Sequence, residues 1–320
     1  MIKEANWQEE RSEGAKARTE ERYAEAERHF AAALESAEQR GEAAPVLLEC
    51  INDLADIYLT LGKAEQAAAL LERATGLEGA GHEIWFALSR AQAASGKGDQ
   101  AVDSCQGALE MEPGSLVLWN ELARLLWSQD RKSELQEVYE KTIALSPRTA
   151  SDFYCRAYAL MQLQRYPEAI EDFNKSLELS PGDVEAIESR AFCHLYSGEY
   201  ARAILDYNEA ITLDPTAYAY CCRGQALVQQ GKYRQGIRDL TQAISMGGND
   251  GSEFGTRAWA YMNIEEFDKA IEDINEALKH DQSNGELFAY RSKCHEAQGR
   301  TMEAAVGSSW MYDRTHSLMD

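Results

Sequence analysis

The sequence predicts an all-α repeat solenoid, and three observations predict it. The stretch from Tyr166 to Pro181 overlays the stretch from Tyr200 to Pro215 at an offset of 34 residues. A fixed period in this range marks a repeat array. Proline is scarce (6 in 320 residues) while Ala, Glu and Leu are frequent, a composition that favours helix. No β-branched run with period 2 is bounded by turn residues, so strand signals are missing. With such a period the chain reads as one elongated array rather than two globular domains, because each repeat contacts mainly its neighbours.

The first repeat covers about 7–44, where Tyr23, Ala26, Phe30, Ala33 and Leu34 give its second helix an apolar face at helical spacing. Its tail, Glu35 to Arg40, is longer than in the other repeats, and Gly41 ends it. Pro45 opens the second repeat (45–80), where its missing N–H costs nothing. There Ile51, Leu54, Ala55 and Tyr58 line one helix, and Ala67, Leu70, Leu71 and Ala74 the next. Six further repeats follow at 82–114, 116–148, 150–182, 184–216, 217–249 and 251–283. A partial ninth (285–312) loses its pattern before a tail at 313–320, so the array spans 1–316 at most.

Certain residues recur in register. An aromatic (Trp85, Trp119, Phe153) is followed four residues later by a small residue (Ser89, Ala123, Ala157). Tyr166, Tyr200, Tyr233 and Phe267 share a slot, as do Ala169, Ala203 and Ala270, and Pro113, Pro147, Pro181 and Pro215 close their repeats. On these residues the chain resembles the tetratricopeptide repeat family over nearly its whole length. The resemblance implies antiparallel helix pairs stacked as a right-handed superhelical solenoid of about eight to nine helix-turn-helix repeats, with a concave inner face. Leu135 and Gly236 stand where Ala is usual, and Gly79 and Gly248 where Pro is usual.

The formal net charge is −22. A nucleic-acid binder must neutralise phosphates with Lys and Arg, so nucleic acid is not an expected partner. An anionic membrane surface is excluded on the same ground, and no apolar run approaches the length of a spanning helix. The charge serves solubility, and as a sharper reading favours a partner with basic residues. The N-terminus has no apolar h-region, and the seven scattered cysteines make no disulfide framework. A reducing, cytoplasmic setting is therefore expected. No catalytic set, metal site or cofactor motif stands out, and no small-molecule substrate is expected. Cys193-His194 and Cys294-His295 recur but read as packing, and the Gly247–Gly251 stretch reads as a turn and not a phosphate loop.

Arginine recurs at Arg156, Arg190, Arg223, Arg257 and Arg291, in a slot that holds Leu54, Leu88 and Leu122 earlier, so the slot should be largely buried. Aspartate recurs in step at Asp172, Asp206, Asp239 and Asp273. A buried guanidinium demands a carboxylate, which predicts a structural ion-pair ladder. Spacing leaves open whether each Asp pairs within its own repeat or with the next.

In the resembled family the first helix of each repeat lines the concave face. The facing residues are Tyr154, Tyr158, Met161, Glu185, Glu188, Phe192, Tyr196, Tyr218, Cys221, Gln225, Trp259, Met262 and Asn263, joined by Trp127. Few of them are charged, which predicts a peptide-binding groove; the alternative is that coiling buries these aromatics against adjacent helices. Earlier repeats present Glu49, Asp53, Asp56, Glu83, Arg90, Glu121 and Arg124, a mostly acidic wall suited to basic residues of the partner. The Lys/Asn/Arg clamp for chaperone tails is not assembled. The expected function is a non-enzymatic protein–protein interaction scaffold or assembly chaperone. The alternatives are a peptide-responsive regulatory sensor, or an accessory subunit of an enzyme complex docking through its C-terminal edge at Trp310, Met311 and Tyr312.

Overall fold

The computed structural model describes residues 6–248 and 251–300. Trp310, Met311 and Tyr312, and with them the C-terminal docking edge, lie outside the described residues. Seventeen α-helices and no strand occur among the described residues. The chain divides after Leu163 into two compact halves, Met1–Leu163 and Gln164–Asp320.

The first half holds α1 (Trp7–Thr19), α2 (Tyr23–Arg40), α3 (Ala44–Thr60), α4 (Ala64–Thr75), α5 (His82–Ala94), α6 (Gly98–Met111), α7 (Leu116–Ser128), α8 (Lys132–Ile143) and α9 (Ala150–Gln162). The second holds α10 (Tyr166–Leu179), α11 (Val184–Tyr196), α12 (Tyr200–Leu213), α13 (Ala217–Gln229), α14 (Tyr233–Ser245), α15 (Ser252–Asn263), α16 (Phe267–His280) and α17 (Gly285–Ala297). Within each half every helix packs on its neighbours in sequence, the architecture of an all-α repeat solenoid.

Local chemistry sets the helix ends. First helices of several repeats start on a side-chain cap: Ser115 accepts from Leu118 N–H, Thr149 forms a capping box with Asp152, Asp183 accepts from Ala186 N–H, and Thr216 accepts from Ala219 N–H. Each cap satisfies a backbone donor that the helix leaves unpaired. The recurring Tyr166, Tyr200, Tyr233 and Phe267 each open a second helix. Between first and second helix the chain turns through one residue in the left-handed region. Gly62, Gly96, Gly198 and Gly231 take that position in four repeats, and Glu21, Asp130, Gln164 and Glu265 in four others.

A side chain in that conformation costs about 1–2 kcal/mol, offset by roughly 0.5–1 kcal/mol of extra chain entropy when glycine replaces it. Glu265→Gly is therefore expected to stabilise the second half by roughly 0.5–1 kcal/mol, read as a raised denaturant midpoint with unchanged slope.

Close approach between paired helices needs small residues. Ser89 is buried and donates to the Ala101 carbonyl across the α5–α6 contact at 2.8 Å. Gly224 on α13 faces Gly236 on α14: a Cβ on Gly236 would lie 2.9 Å from the Gly224 carbonyl oxygen and 2.6 Å from Val228 Cγ2. Gly236 is therefore required by its neighbour rather than being a local irregularity. The core sits between helices: Phe30, Ile57, Leu71 and Leu116 are fully buried in the first half, and Phe173, Ile187, Tyr207, Leu240 and Ile274 in the second. Burying each such side chain contributes about 1.5–3 kcal/mol.

Candidate functional site

The arginines of α11, α13 and α15 each meet the Asp of their own repeat. Arg190 Nε and Nη2 donate to Asp206 at 2.8 Å each, Arg223 to Asp239 at 2.6 and 2.9 Å, and Arg257 to Asp273 at 2.8 and 2.7 Å. These guanidinium groups keep 14–20% of their side-chain exposure, and the fork-to-carboxylate geometry is the strong bidentate form. The hydrogen bonds to Asp273 hold the Arg257 guanidinium above its ordinary pKa.

A third contact of each arginine reaches back to the preceding repeat. Arg190 Nη1 donates to Asn174 Oδ1 at 2.9 Å, Arg223 to Asn208 at 2.8 Å, Arg257 to Thr241 Oγ1 at 2.9 Å and Arg291 to Asn275 at 2.8 Å. So each arginine ties two repeats together, and this residue set escaped the spacing argument. Its signal was present, because Asn174 and Asn208 lie in register two residues after Asp172 and Asp206. The rings of Tyr220, Phe254 and Phe288 lie 5.3, 5.7 and 5.1 Å from the guanidinium carbons of Arg223, Arg257 and Arg291. Asp172 is buried in the second half, and Arg156 in the first half donates to the Leu145 carbonyl at 3.2 Å.

The buried His194 hydrogen-bonds Glu199 through Nδ1 at 2.6 Å, and its Nε2 lies 3.9 Å from Asp206. It is held by the charged groups of its own repeat.

In the second half the facing residues divide by exposure. Tyr196 is 57% exposed, Tyr218 48% and Trp259 37%, and Asn263 is also exposed, donating to the Trp259 carbonyl at 2.8 Å. Phe192, Glu188, Gln225 and Met262 are half-buried. Phe192 and Tyr196 pack at 4.3 Å between ring centroids, with Tyr166 6.0 Å from Tyr196. Thr216 donates to Glu188 at 3.2 Å, and burial raises the Glu188 pKa. Cys221, counted among the facing residues by its 3.6-residue spacing, is instead buried in the α13–α15 core, because α15 covers that edge of the stripe.

Two clefts run along these helices. One of about 540 Å³ is lined by Tyr196, Tyr200, Gln225, Gln229 and Thr256, and one of about 590 Å³ by Gln229, Thr256, Trp259, Glu286 and Tyr290. Both clefts have Gln229 and Thr256 in their lining, with Tyr196 and Gln225 on the first and Trp259 on the second.

In the first half Trp127 is 66% exposed, while Tyr154, Tyr158 and Met161 are half-buried on α9 and the two tyrosines stack at 6.3 Å. The acidic wall is largely compensated. Arg11 of α1 reaches α3 and binds both Glu49 and Asp53, a partner that periodicity did not signal. Arg124 binds Glu121 at 2.6 and 2.8 Å, and Glu121 is buried rather than displayed. Burial pushes the Asp56 carboxyl up against the pull of Arg18 and Arg90. A cleft of about 770 Å³ between α5 and α7 is lined by Arg90, Glu121, Arg124, Ser128 and Gln129.

All seven cysteines are buried. Burial pushes the thiols of Cys50, Cys155 and Cys294 up to about 11, and those of Cys105 and Cys193 to about 12. A nucleophilic cysteine needs the opposite shift. Among the described residues no group of His, Cys, Asp and Glu side chains is placed to hold a metal, and no helix is long and apolar enough to cross a membrane.

Tetratricopeptide repeat profiles match residues 15–77, 52–115, 150–183, 194–231 and 256–308, more than half of the chain. The chain belongs to the tetratricopeptide repeat family. Tetratricopeptide arrays are protein–protein interaction scaffolds, and the fold is generally a non-enzymatic module. No curated protein matches the sequence. Among solved structures, a chain of the APC/C hetero-tetramer Cut9–Hcn1 superposes with a TM-score of 0.64 at 16% identity, over 85% of this chain and 52% of that one. This array thus spans about half the length of that relative. A tetratricopeptide repeat protein from Parabacteroides merdae ATCC 43184 gives 0.52 at 20% identity, over 71% of this chain and 90% of that one. MamA from Desulfovibrio magneticus RS-1 gives 0.50 at 16% identity, over 52% of this chain and 96% of that one. At these identities the likeness is one of fold.

Proposed function

We propose that the protein is a non-enzymatic interaction scaffold or assembly chaperone that binds a peptide segment of a partner along α11, α13, α15 and α17. The observation that carries this reading is the pair of clefts lined by exposed Tyr196 and half-buried Gln225 in one and by exposed Trp259 in the other, which share Gln229 and Thr256. Tyr and Trp supply contact area at low entropic cost together with a polar handle. Phe192 packs on Tyr196 beside the first cleft, and Gln225, Gln229 and Thr256 offer hydrogen-bonding groups for a peptide backbone. The first half contributes a separate aromatic surface of Trp127, Tyr154 and Tyr158.

Capture from native lysate tests this. Wild-type protein is compared with a Tyr196→Ala/Trp259→Ala double variant, with circular dichroism showing that both are folded. The expected result is a partner held by the wild type and lost by the variant. A partner retained equally by both places binding elsewhere and sinks the reading.

A further inference from the structure

We infer that the cleft between α15 and α17 binds the guanidinium group of an arginine carried by the partner polypeptide; this rests on the groove reading above and names its chemistry. The cleft of about 590 Å³ has room for a long side chain. The rings of Trp259 and Tyr290 lie on its wall and pack against each other, centroids 5.2 Å apart and inclined by 36°. The Glu286 carboxylate lies on its wall, Asp281 beside it accepts from the Ser283 N–H and hydroxyl, and among the described residues no lysine or arginine lines it. His280 is the one lining residue able to carry positive charge, and its ring stacks on Phe254 at 6.4 Å. The ladder cation on the same helix as Trp259, Arg257, has its fork occupied by Asp273 and Thr241.

An aromatic face beside a carboxylate attracts a cationic ligand. Glu286 also accepts from the Tyr290 hydroxyl, which fixes the ring beside the acid. Burial, and then the Glu286 carboxylate, push the Tyr290 phenol up to about 12, so the ring stays neutral at physiological pH. Arginine fits better than lysine: its planar guanidinium stacks on an aromatic face while donating in the plane to a carboxylate, whereas an ammonium is a strongly hydrated point charge. The formal net charge of −22 draws such a side chain toward the protein.

The test uses the full chain labelled with 5-fluorotryptophan, with the Trp259 resonance identified by its loss in Trp259→Phe. N-acetyl-arginine amide is titrated beside N-acetyl-citrulline amide, its neutral isostere, and N-acetyl-lysine amide. The expected result is a saturable shift of Trp259 by the arginine probe, with citrulline weaker by about tenfold, equivalent to ~1.4 kcal/mol, and lysine in between. Glu286→Gln, on an exposed side chain that leaves the core intact, should weaken the arginine response by about threefold and leave citrulline unchanged. Equal responses to arginine and citrulline, or an arginine response indifferent to Glu286→Gln, overturn the assignment. A captured partner that needs Trp259 but binds equally well with its arginines replaced by citrulline overturns it too, and leaves the groove reading standing.

Discussion

Asp206→Ala is expected to destabilise the second half by about 3 kcal/mol, because it strands a mostly buried guanidinium. Arg190 loses both bonds of its fork and keeps only the contact to Asn174, with 20% side-chain exposure through which to recruit water. The same substitution at Asp268, whose side chain is 70% exposed and pairs with Arg300, should cost less than about 0.5 kcal/mol. The sequence also supplies the rescue. The rung of the fourth repeat is apolar, with Leu122 in the arginine slot and Val138 in the aspartate slot, both buried. Arg190→Leu/Asp206→Val copies that rung and should recover most of the loss, since replacing a buried ion pair by well-packed apolar side chains is often neutral. Urea denaturation of the variants checks all of this. A double variant as unstable as Asp206→Ala would show that the rung depends on charge itself.

Gly236→Ala is expected to cost about 1–3 kcal/mol, although alanine is the better helix former by about 1 kcal/mol and is the usual residue in this slot. The added Cβ would meet the backbone oxygen of Gly224 at 2.9 Å and the backbone nitrogen of Val228 at 3.3 Å. Backbone on a packed helix does not yield as a flexible side chain does, so α13 and α14 must separate. Gly255→Ala on α15 is the control with the opposite sign: its Cβ meets only Leu287 Cδ2 at an ordinary 3.6 Å. That variant should gain up to about 1 kcal/mol from helix propensity. Thermal denaturation of the two variants should move their midpoints in opposite directions. A stabilised Gly236→Ala would mean that the two helices have slack.

These two sites show what the sequence carried and what it left open. The repeat period put Tyr166, Tyr200, Tyr233 and Phe267 in one slot, and each opens a second helix, because a repeat period reflects local structure. The spacing of Arg and Asp was equally legible. The choice of partner was not, since it depends on how far two helices rotate against each other. The link from Arg190 back to Asn174 was visible as an Asp-X-Asn recurrence, but nothing in a recurrence says which face meets which. Gly236 looked like a departure from pattern because its cause, the bare backbone at Gly224, lies on another helix. Of the facing stripe, Tyr196 and Trp259 are exposed. The stripe failed at Cys221 and Glu121, which sit at stripe edges covered by neighbouring structure. Arg11, which neutralises Glu49 and Asp53 from another repeat, had no periodic counterpart to betray it.

The scaffold reading stands or falls on which helix face meets the partner, and site-specific photocrosslinking reads that directly. Benzoylphenylalanine is placed at Tyr196, 57% exposed on a first helix, and in a separate protein at Leu205, 67% exposed on a second helix. Each is irradiated in native lysate. A partner crosslinked from position 196 and absent from position 205 is the predicted result. The same partner crosslinked from 205 and not from 196 would contradict the account and move the binding surface to the second helices.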